Sequence, residues 1–315
     1  MQSGVALISV LLLVVIVSVL SISMTRNQNF AIHQVRNGYD FSQTNLYTLG
    51  GEELARQILW QDHQESEGLD HLNEAWAEKD LYFEFENGEV TINIIDLQGR
   101  LNVNSLVLEG DFGREARRRF SRLLMNSGLD AMYLDRLIDW MDDDGAARTL
   151  GAEDYDYLGL ATPYRTSGQP FVDVTELNLI LGMDSSSFEQ LRNSLSALPH
   201  LNTPLNVNTS ELSILNTILP IPLGEVDNSI ERAQETRRRY NSVDEFLQAF
   251  PVPGGAVAAT GLSVQSNFFE VQIRANYRDR LGYLTSILQR ENDGSIRVIS
   301  RNHSRKVFPF KSSDN

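Results

Sequence analysis

The chain contains no cysteine, which excludes disulfides and thiolate metal sites. It has no proline before Pro163, so no missing backbone donor interrupts a helix in that stretch. No charged side chain occurs among residues 1–24. G-x-S-x-G, H-E-x-x-H, P-loop and G-x-G-x-x-G patterns are missing too. His33, His63, His71, His200 and His303 are scattered without metal-ligand spacing. The formal charge of −15 therefore falls wholly on the part after residue 24. Such an acidic surface does not suit nucleic acid or anionic lipid, since a nucleic-acid binder needs basic residues to displace counterions.

The residues that are present begin with Val5 to Met24, a run of twenty interrupted only by Ser9, Ser18, Ser21 and Ser23. At about 1.5 Å per residue such a helix spans roughly 30 Å, the thickness of a bilayer's hydrocarbon core. A secretory signal has a shorter apolar region and a small-residue cleavage step after it. Ser21-Ile22-Ser23 is a poor version of that step, so the segment reads as an anchor. Arg26 and Arg36 lie just beyond it, so the positive-inside rule does not by itself favour export of the soluble part. The helical pattern continues through Ala31, Val35, Tyr39, Ser42, Leu46 and Leu49, and then Leu54 and Ile58. This predicts one helix over 5–61, its first half in lipid and its second half packed on a soluble domain. An anchor, a short linker and a separate helix form the alternative.

In LYFEFENGEVTINIID, apolar and polar residues alternate on both sides of Asn87-Gly88, the dipeptide best suited to a tight hairpin turn. Strand patterns return only in SVQSNFFEVQIRANY, LGYLTSILQRE and SIRVISRN, the last two joined across Glu291-Asn292-Asp293-Gly294. Two strands thus precede, and three follow, a long interval of helical character.

That interval repeats itself. LNVNSL at 101–106 returns as LNVNTSEL at 205–212, and FVDVTELNLI at 171–180 returns as YNSVDEFLQA at 240–249. In each copy Asn-Val-Asn suits a turn that caps a helix. Asp173 or Ser242 caps another helix, with Glu176 or Glu245 three residues on, as in a capping box. From LNVN to the Val-x-Glu motif the first copy spans 73 residues and the second 38, so the first carries an insertion. Helices are expected at 114–126, 130–141, 174–181 and 185–196, then at 209–218, 225–239, 243–249 and 254–260.

The insertion holds the densest acidic stretch, DWMDDDGAARTLGAEDYDYLG, in which Asp139, Asp142, Asp143, Asp144, Glu153, Asp154 and Asp156 face one base, Arg148. An EF-hand alignment on Gly145 fails, because Trp140 and Gly151 occupy the first and twelfth positions. Two readings stand: a solvated acidic loop, the commoner outcome, and a calcium site of another kind. Nothing in the spacing selects a pair of glycosidase carboxylates. Arg114, Arg117, Arg118, Arg119 and Arg122, echoed by Arg237, Arg238 and Arg239, are expected to pair with carboxylates or solvate helix faces. PVPGGAVAATG at 251–261 is similar to the hairpin of helix-hairpin-helix modules but lacks flanking Lys or Arg, and reads as packing architecture.

Gly4-Val5-Ala6-Leu7 before an apolar run, then DLQGRLNVNSL, LIDWMDDDG, GAEDYDYL, PYRTSGQPFVDVTEL and LNVNT, occur in this order. Together they resemble the K-type minor pseudopilins of bacterial type II secretion, over most of the chain. The resemblance implies cleavage by prepilin peptidase between Gly4 and Val5, with Val5 as the new N-terminus and methylation among the expected modifications. Most pilin-like subunits carry a glutamate at the fifth mature position, which neutralises the amine of the subunit already in place. Here that position is Ser9. A buried unpaired amine is costly, and a subunit with no carboxylate to offer fits a filament tip, where nothing precedes it. The resemblance further implies I- and J-type minor pseudopilins as partners through the N-terminal helix, an inner-membrane anchor with a periplasmic head, and secreted substrates among the contacts. It implies calcium in the inserted domain, transferred here to Asp142, Asp144, Glu153 and Asp154.

The expected fold is α+β: a pilin-like long N-terminal helix packed on an antiparallel sheet, with a large all-α domain of two helix-hairpin-helix or SAM-like repeats inserted between strands. The expected divisions are a leader at 1–4, a transmembrane helix at 5–24, the pilin-like helix and first hairpin at 25–100, the helical insertion at 101–261, and closing strands at 262–315. A structural, non-enzymatic tip subunit is the first functional reading. A membrane-anchored periplasmic calcium-dependent hydrolase is the alternative.

Overall fold

The computed structural model describes residues 3–66, 68–218, 239–250 and 259–304. Helix α1 runs without a break over Ser3–Glu65, so the reading with a linker is set aside. Its second half lies on a five-stranded antiparallel sheet of order β1-β2-β7-β8-β9. The strands are β1 (Leu81–Phe85), β2 (Gly88–Asp96), β7 (Phe268–Tyr277), β8 (Arg280–Arg290) and β9 (Ile296–Asn302). Two strands precede the helical interval and three follow it, as the alternation predicted.

The face of α1 that meets the sheet is not the apolar stripe. Thr44, Thr48, Gly51, Glu52, Ala55 and Leu59 are buried, with Leu54 and Ile58 packed at the margin. Val35, Tyr39 and Leu46 remain more than half exposed. The sheet decides this. Val90, Ile92, Ile273 and Leu284 already fill its face, so the helix must approach through small residues. A Cβ on Gly51 would lie 2.8 Å from both Ile273 and Val90.

The first hairpin is present, but its turn is Glu86-Asn87, because Phe85 pairs with Gly88. Gly88 serves the sheet instead: a Cβ there would meet the Asn276 carbonyl oxygen at 2.1 Å. The turn with two positive φ values is Arg278-Asp279, at 46° and 66°, between β7 and β8.

Between β2 and β7 the two sequence repeats become two helical units. Each opens on its Leu-Asn pair and closes on a Leu-Ser pair by a parallel two-residue ladder: β3 (Leu101–Asn102) with β4 (Leu195–Ser196), and β5 (Leu205–Asn206) with β6 (Leu262–Ser263). The first unit holds α2 (Gly110–Asn126), α3 (Met132–Met141), α4 (Asp154–Leu158) and α5 (Ser185–Leu191). The second holds α6 (Leu212–Ile218) and α7 (Val243–Ala249). The stretch expected as a helix at 174–181 is a 3₁₀ turn, Val174–Leu179. The helix expected to reach 196 stops at Leu191, because Leu195 and Ser196 are drawn into β4. Helices expected at 225–239 and 254–260, with Arg237, Arg238 and most of the 251–261 hairpin, fall almost wholly outside the described residues.

The second asparagine of each LNVN is the clamp of its unit. Asn104 Nδ2 donates to the carbonyls of Phe171 (2.9 Å) and Leu198 (3.0 Å), and its Oδ1 accepts from Phe171 N–H at 2.8 Å. Asn208 repeats this on Tyr240, donating at 3.0 Å and accepting at 2.9 Å. Phe171 and Tyr240 open the two capped segments. There Asp173 accepts from Thr175 N–H at 2.9 Å and Ser242 Oγ from Glu245 N–H at 3.1 Å. Several arginines of α2 cap carbonyls rather than carboxylates. Arg117 donates to Leu106 and Leu108, Arg119 to Thr260 and Gly261, and Arg122 to Thr217 and Ile218. Arg114 and Arg118 pair with Asp111 and Glu115 as expected. The last two carbonyl pairs tie the first unit to the second.

Replacing Asn104 by alanine leaves two carbonyls and one N–H of a packed core without partners. A loss of about 3 kcal/mol in unfolding free energy is expected in urea denaturation. A loss below about 1 kcal/mol would show that Asn104 does not clamp its unit.

Candidate functional site

The acidic loop is built from the end of α3 outward. Residues 137–141 are all buried, and Asp139 among them is 0% exposed. One helical turn later Asp142 ends α3, its N–H donating to Ile138 O at 2.9 Å. The chain loops through Gly145 at φ +63° and returns to Glu153, which precedes α4 and is 7% exposed. Gly151 permits that return, because a Cβ on it would lie 1.7 Å from Asp139 Oδ2. Beneath the loop, Trp140 packs edge-on against Tyr157 and stacks on Phe171.

Asp139, Asp142 and Glu153 each offer a carboxylate oxygen, all within 4.8 Å of one another. The nearby base is Arg148, whose N–H donates to Asp139 Oδ2 at 3.0 Å and whose guanidinium lies 3.3 Å from Asp139 and 3.1 Å from Asp142. One oxygen on each carboxylate, Asp139 Oδ1, Asp142 Oδ1 and Glu153 Oε1, is buried without a hydrogen bond. Burial pushes the carboxyls of Asp139 and Asp142 up. Burial, with Asp139, Asp142 and Asp144 nearby, pushes Glu153 up to about 7. Three converging acids and one guanidinium leave a negative excess, and the oxygen donors are those a hard cation takes.

Of the four residues singled out in the sequence, Asp142 and Glu153 belong to this group. Asp144 stands beside it, raising both neighbours while its Oδ1 accepts from Ala146 N–H at 2.8 Å. Asp154 is committed elsewhere, to Arg165 and to the N–H and hydroxyl of Thr166, and these bonds hold its carboxyl below the usual range. Asp139 is the member the sequence choice passed over. Its signal was a place one turn before Asp142, on the same helix face.

A second feature is the outer side of α1. Leu46 stands two residues, more than half a turn, from both Thr44 and Thr48. It faces away from the sheet, along with Val35, Leu49 and Trp60, while the half-exposed Tyr39 reaches Tyr277 of β7 with its side chain. These side chains continue the exposed apolar run of residues 7–24, and the helix is long and apolar enough to cross a membrane. Gly4, Val5 and Ser9 lie in its first turns.

The third feature is the seam between the head's two main cores. Asp96, at the end of β2, is 6% exposed and accepts from Ser266 Oγ and Thr209 Oγ1; burial pushes its carboxyl up to about 6. Asn206 donates to Ser266 Oγ at 2.8 Å and to Asp70 O at 3.1 Å. The second helical unit is thereby fixed at the end of α1 farthest from the apolar run. About 38 residues separate Met24 from Asp62, roughly 57 Å of helix.

Residues 99–200 match the family model described as Type II secretion system (T2SS), protein K. The type II secretion system protein K of Pseudomonas aeruginosa is 34% identical, over 99% of this chain and 96% of its own length. That of Klebsiella pneumoniae is 32% identical, over 92% and 93%. Among solved structures, a chain of the GspK-GspI-GspJ complex from the enterotoxigenic Escherichia coli Type 2 Secretion System superposes with a TM-score of 0.76 at 22% identity. It covers 87% of this chain and all of that one, and shows that the fold is shared. The hydrolase alternative finds no support among these relatives. With a third of its residues preserved along nearly the whole length of the Pseudomonas protein, the chain belongs to the type II secretion system protein K family.

Proposed function

We propose that this protein is the minor pseudopilin at the tip of the type II secretion pseudopilus, where it starts or caps assembly without catalysis of its own. The observation that carries the reading is the two-sided α1. One side is occupied by its own sheet, and the other continues the apolar surface of the anchor through Val35, Leu46 and Leu49. An apolar stripe of this length on an exposed helix matches the apolar stripe of another helix. The partners are I- and J-type minor pseudopilins, consistent with the named complex of the structural neighbour. Residues 5–24 anchor the chain in the inner membrane, with the head in the periplasm. Prepilin peptidase cuts between Gly4 and Val5, and secreted substrates pass at the head. Ser9 offers no carboxylate to a preceding subunit's amine, and the helical units sit at the end of α1 away from the membrane. Both features suit a position with nothing above it.

The acidic loop is a calcium site in this reading. Asp139, Asp142 and Glu153 hold the ion, with Asp144 beside them, and the unbonded buried oxygens are the donors left for it. Bound calcium neutralises the loop and fixes α3 to α4. Its role is structural.

Four outcomes test this. In cells, Gly4→Leu should leave the chain at its unprocessed mass and abolish secretion. Normal trimming of that variant would sink the peptidase reading. Leu46→Glu with Leu49→Glu should abolish co-purification with the I- and J-type subunits while the thermal midpoint stays within about 2 °C, as for exposed positions. Retained co-purification would remove α1 as the interface. Millimolar calcium should raise the thermal midpoint of the detergent-solubilised protein, through binding to the folded state alone, and Asp139→Asn should abolish that rise. Without calcium, folded Glu153 keeps a proton that the unfolded chain releases. The contribution of Glu153 to stability is then full below about pH 4.5 and is lost as pH climbs through about 7. Glu153→Gln should flatten that slope.

A further inference from the structure

A second group of acids lies at the seam, away from the calcium loop. Asp62 comes from the last turns of α1, and Asp70 and Glu74 from the connector beyond it. Their carboxylate oxygens lie within 4.8 Å of one another. Arg290, at the end of β8, has a side chain only 4% exposed and stacks over Phe269. Asp70 and Glu74 face Asp62 from the connector, with His71 Nε2 3.7 Å behind on Glu74, and Arg290 faces it from β8. Asp96 of β2 acts on Asp70 from the far side.

The donors are shared unequally. Asp70 receives Arg290 Nη2 on both oxygens, at 2.5 and 2.6 Å, and Ser266 N–H at 2.7 Å. Glu74 receives Trp76 Nε1 at 2.7 Å and His71 N–H at 2.8 Å. Asp62 has one long contact, Arg290 Nη1 at 3.3 Å. Three carboxylates this close, inside protein and sharing one guanidinium, do not all ionise readily. The one with the fewest donors keeps the proton, and that is Asp62. Burial, with Glu74 and Asp70 beside it, pushes its carboxyl up to about 7.

We propose that Asp62, Asp70 and Glu74 around Arg290 form a proton-operated clasp that locks the last turns of α1 to the seam, closed with a proton on Asp62 and loosened when that proton leaves. The clasp sets how stiffly the anchor helix is coupled to the helical units. Linkage gives the sign. The folded state holds a proton that the unfolded chain gives up, so this contribution is full below about pH 4 and fades as pH rises through about 7.

The test is amide hydrogen exchange of the full-length protein in detergent micelles, with excess calcium to hold the acidic loop constant. Peptides covering residues 55–65 are followed at a series of values from pH 6 to pH 8 after correction for intrinsic rates. The wild type should lose about tenfold in protection at pH 8, equivalent to a tenfold change in the opening constant. Asp62→Asn should keep the pH 6 level throughout. Glu74→Gln removes one like charge and should move the wild-type midpoint to lower pH, which decides the matter if the asparagine variant does not fold. Equal wild-type protection at both ends of the series, equal loss in Asp62→Asn at both, or an unmoved midpoint in Glu74→Gln would overturn the clasp.

Discussion

At Gly51 the backbone of α1 comes so near the sheet that an added methyl group would collide with Ile273 and Val90. The rest of the molecule's arrangement depends on that closeness. A helix seated through glycine, alanine and threonine buries little side-chain volume of its own, so the sheet supplies most of the apolar bulk beneath it. Several larger residues of the helix, Val35, Leu46 and Trp60 among them, are left on an outside surface. In an isolated soluble domain this would be an inefficient use of leucine and tryptophan. In a helix that shares its other side with companions, two partners are served by one rod.

The helical units obey a different logic, in which polar side chains do the joining. Asn104 and Asn208 act as detached pieces of backbone, each presenting a donor and an acceptor to one peptide unit. Buried amides used this way hold irregular chain without a helix or sheet ladder. The arginines of α2 do the same for helix ends, meeting carbonyls that the last turns of helices leave free. In this arginine-rich helix, Arg117, Arg119 and Arg122 thus serve as internal scaffolding.

Local chemistry was legible in the sequence. The alternation of LYFEFENGEVTINIID gave a hairpin, LNVN and Val-x-Glu gave the repeat, and Asp173 and Ser242 gave caps. In each case the deciding interactions span a few residues. Contacts between distant segments were not legible. Of the apolar stripe of α1, Leu54 and Ile58 pack at the sheet while Val35 and Leu46 stay exposed, because periodicity shows that a helix has an apolar side but not what covers it. The Asn-Gly step drew the turn one residue too far along, since Gly88 answers to Asn276, nearly two hundred positions away. Arg278-Asp279 carried no glycine to mark it. The acidic loop was recognisable by charge density, yet only the fold separates Asp139, turned inward, from Asp154, tied to Arg165 and Thr166.

In the sheet register Asp96 sits opposite Phe269. The chain thus leaves β2 and re-enters β7 at adjoining points, and everything from Leu97 to Asn267 stands where a two-residue bend would suffice. For the sheet, the helical units are an oversized loop. The entropy of closing such a loop grows only with the logarithm of its length, roughly 0.6 kcal/mol per doubling. Each unit also brings its own ends together through its Leu-Asn and Leu-Ser ladder. A lineage could therefore gain, duplicate or enlarge these units without disturbing the strands that carry them, and a small shaft-type subunit could acquire a bulky crown by insertion at one bend.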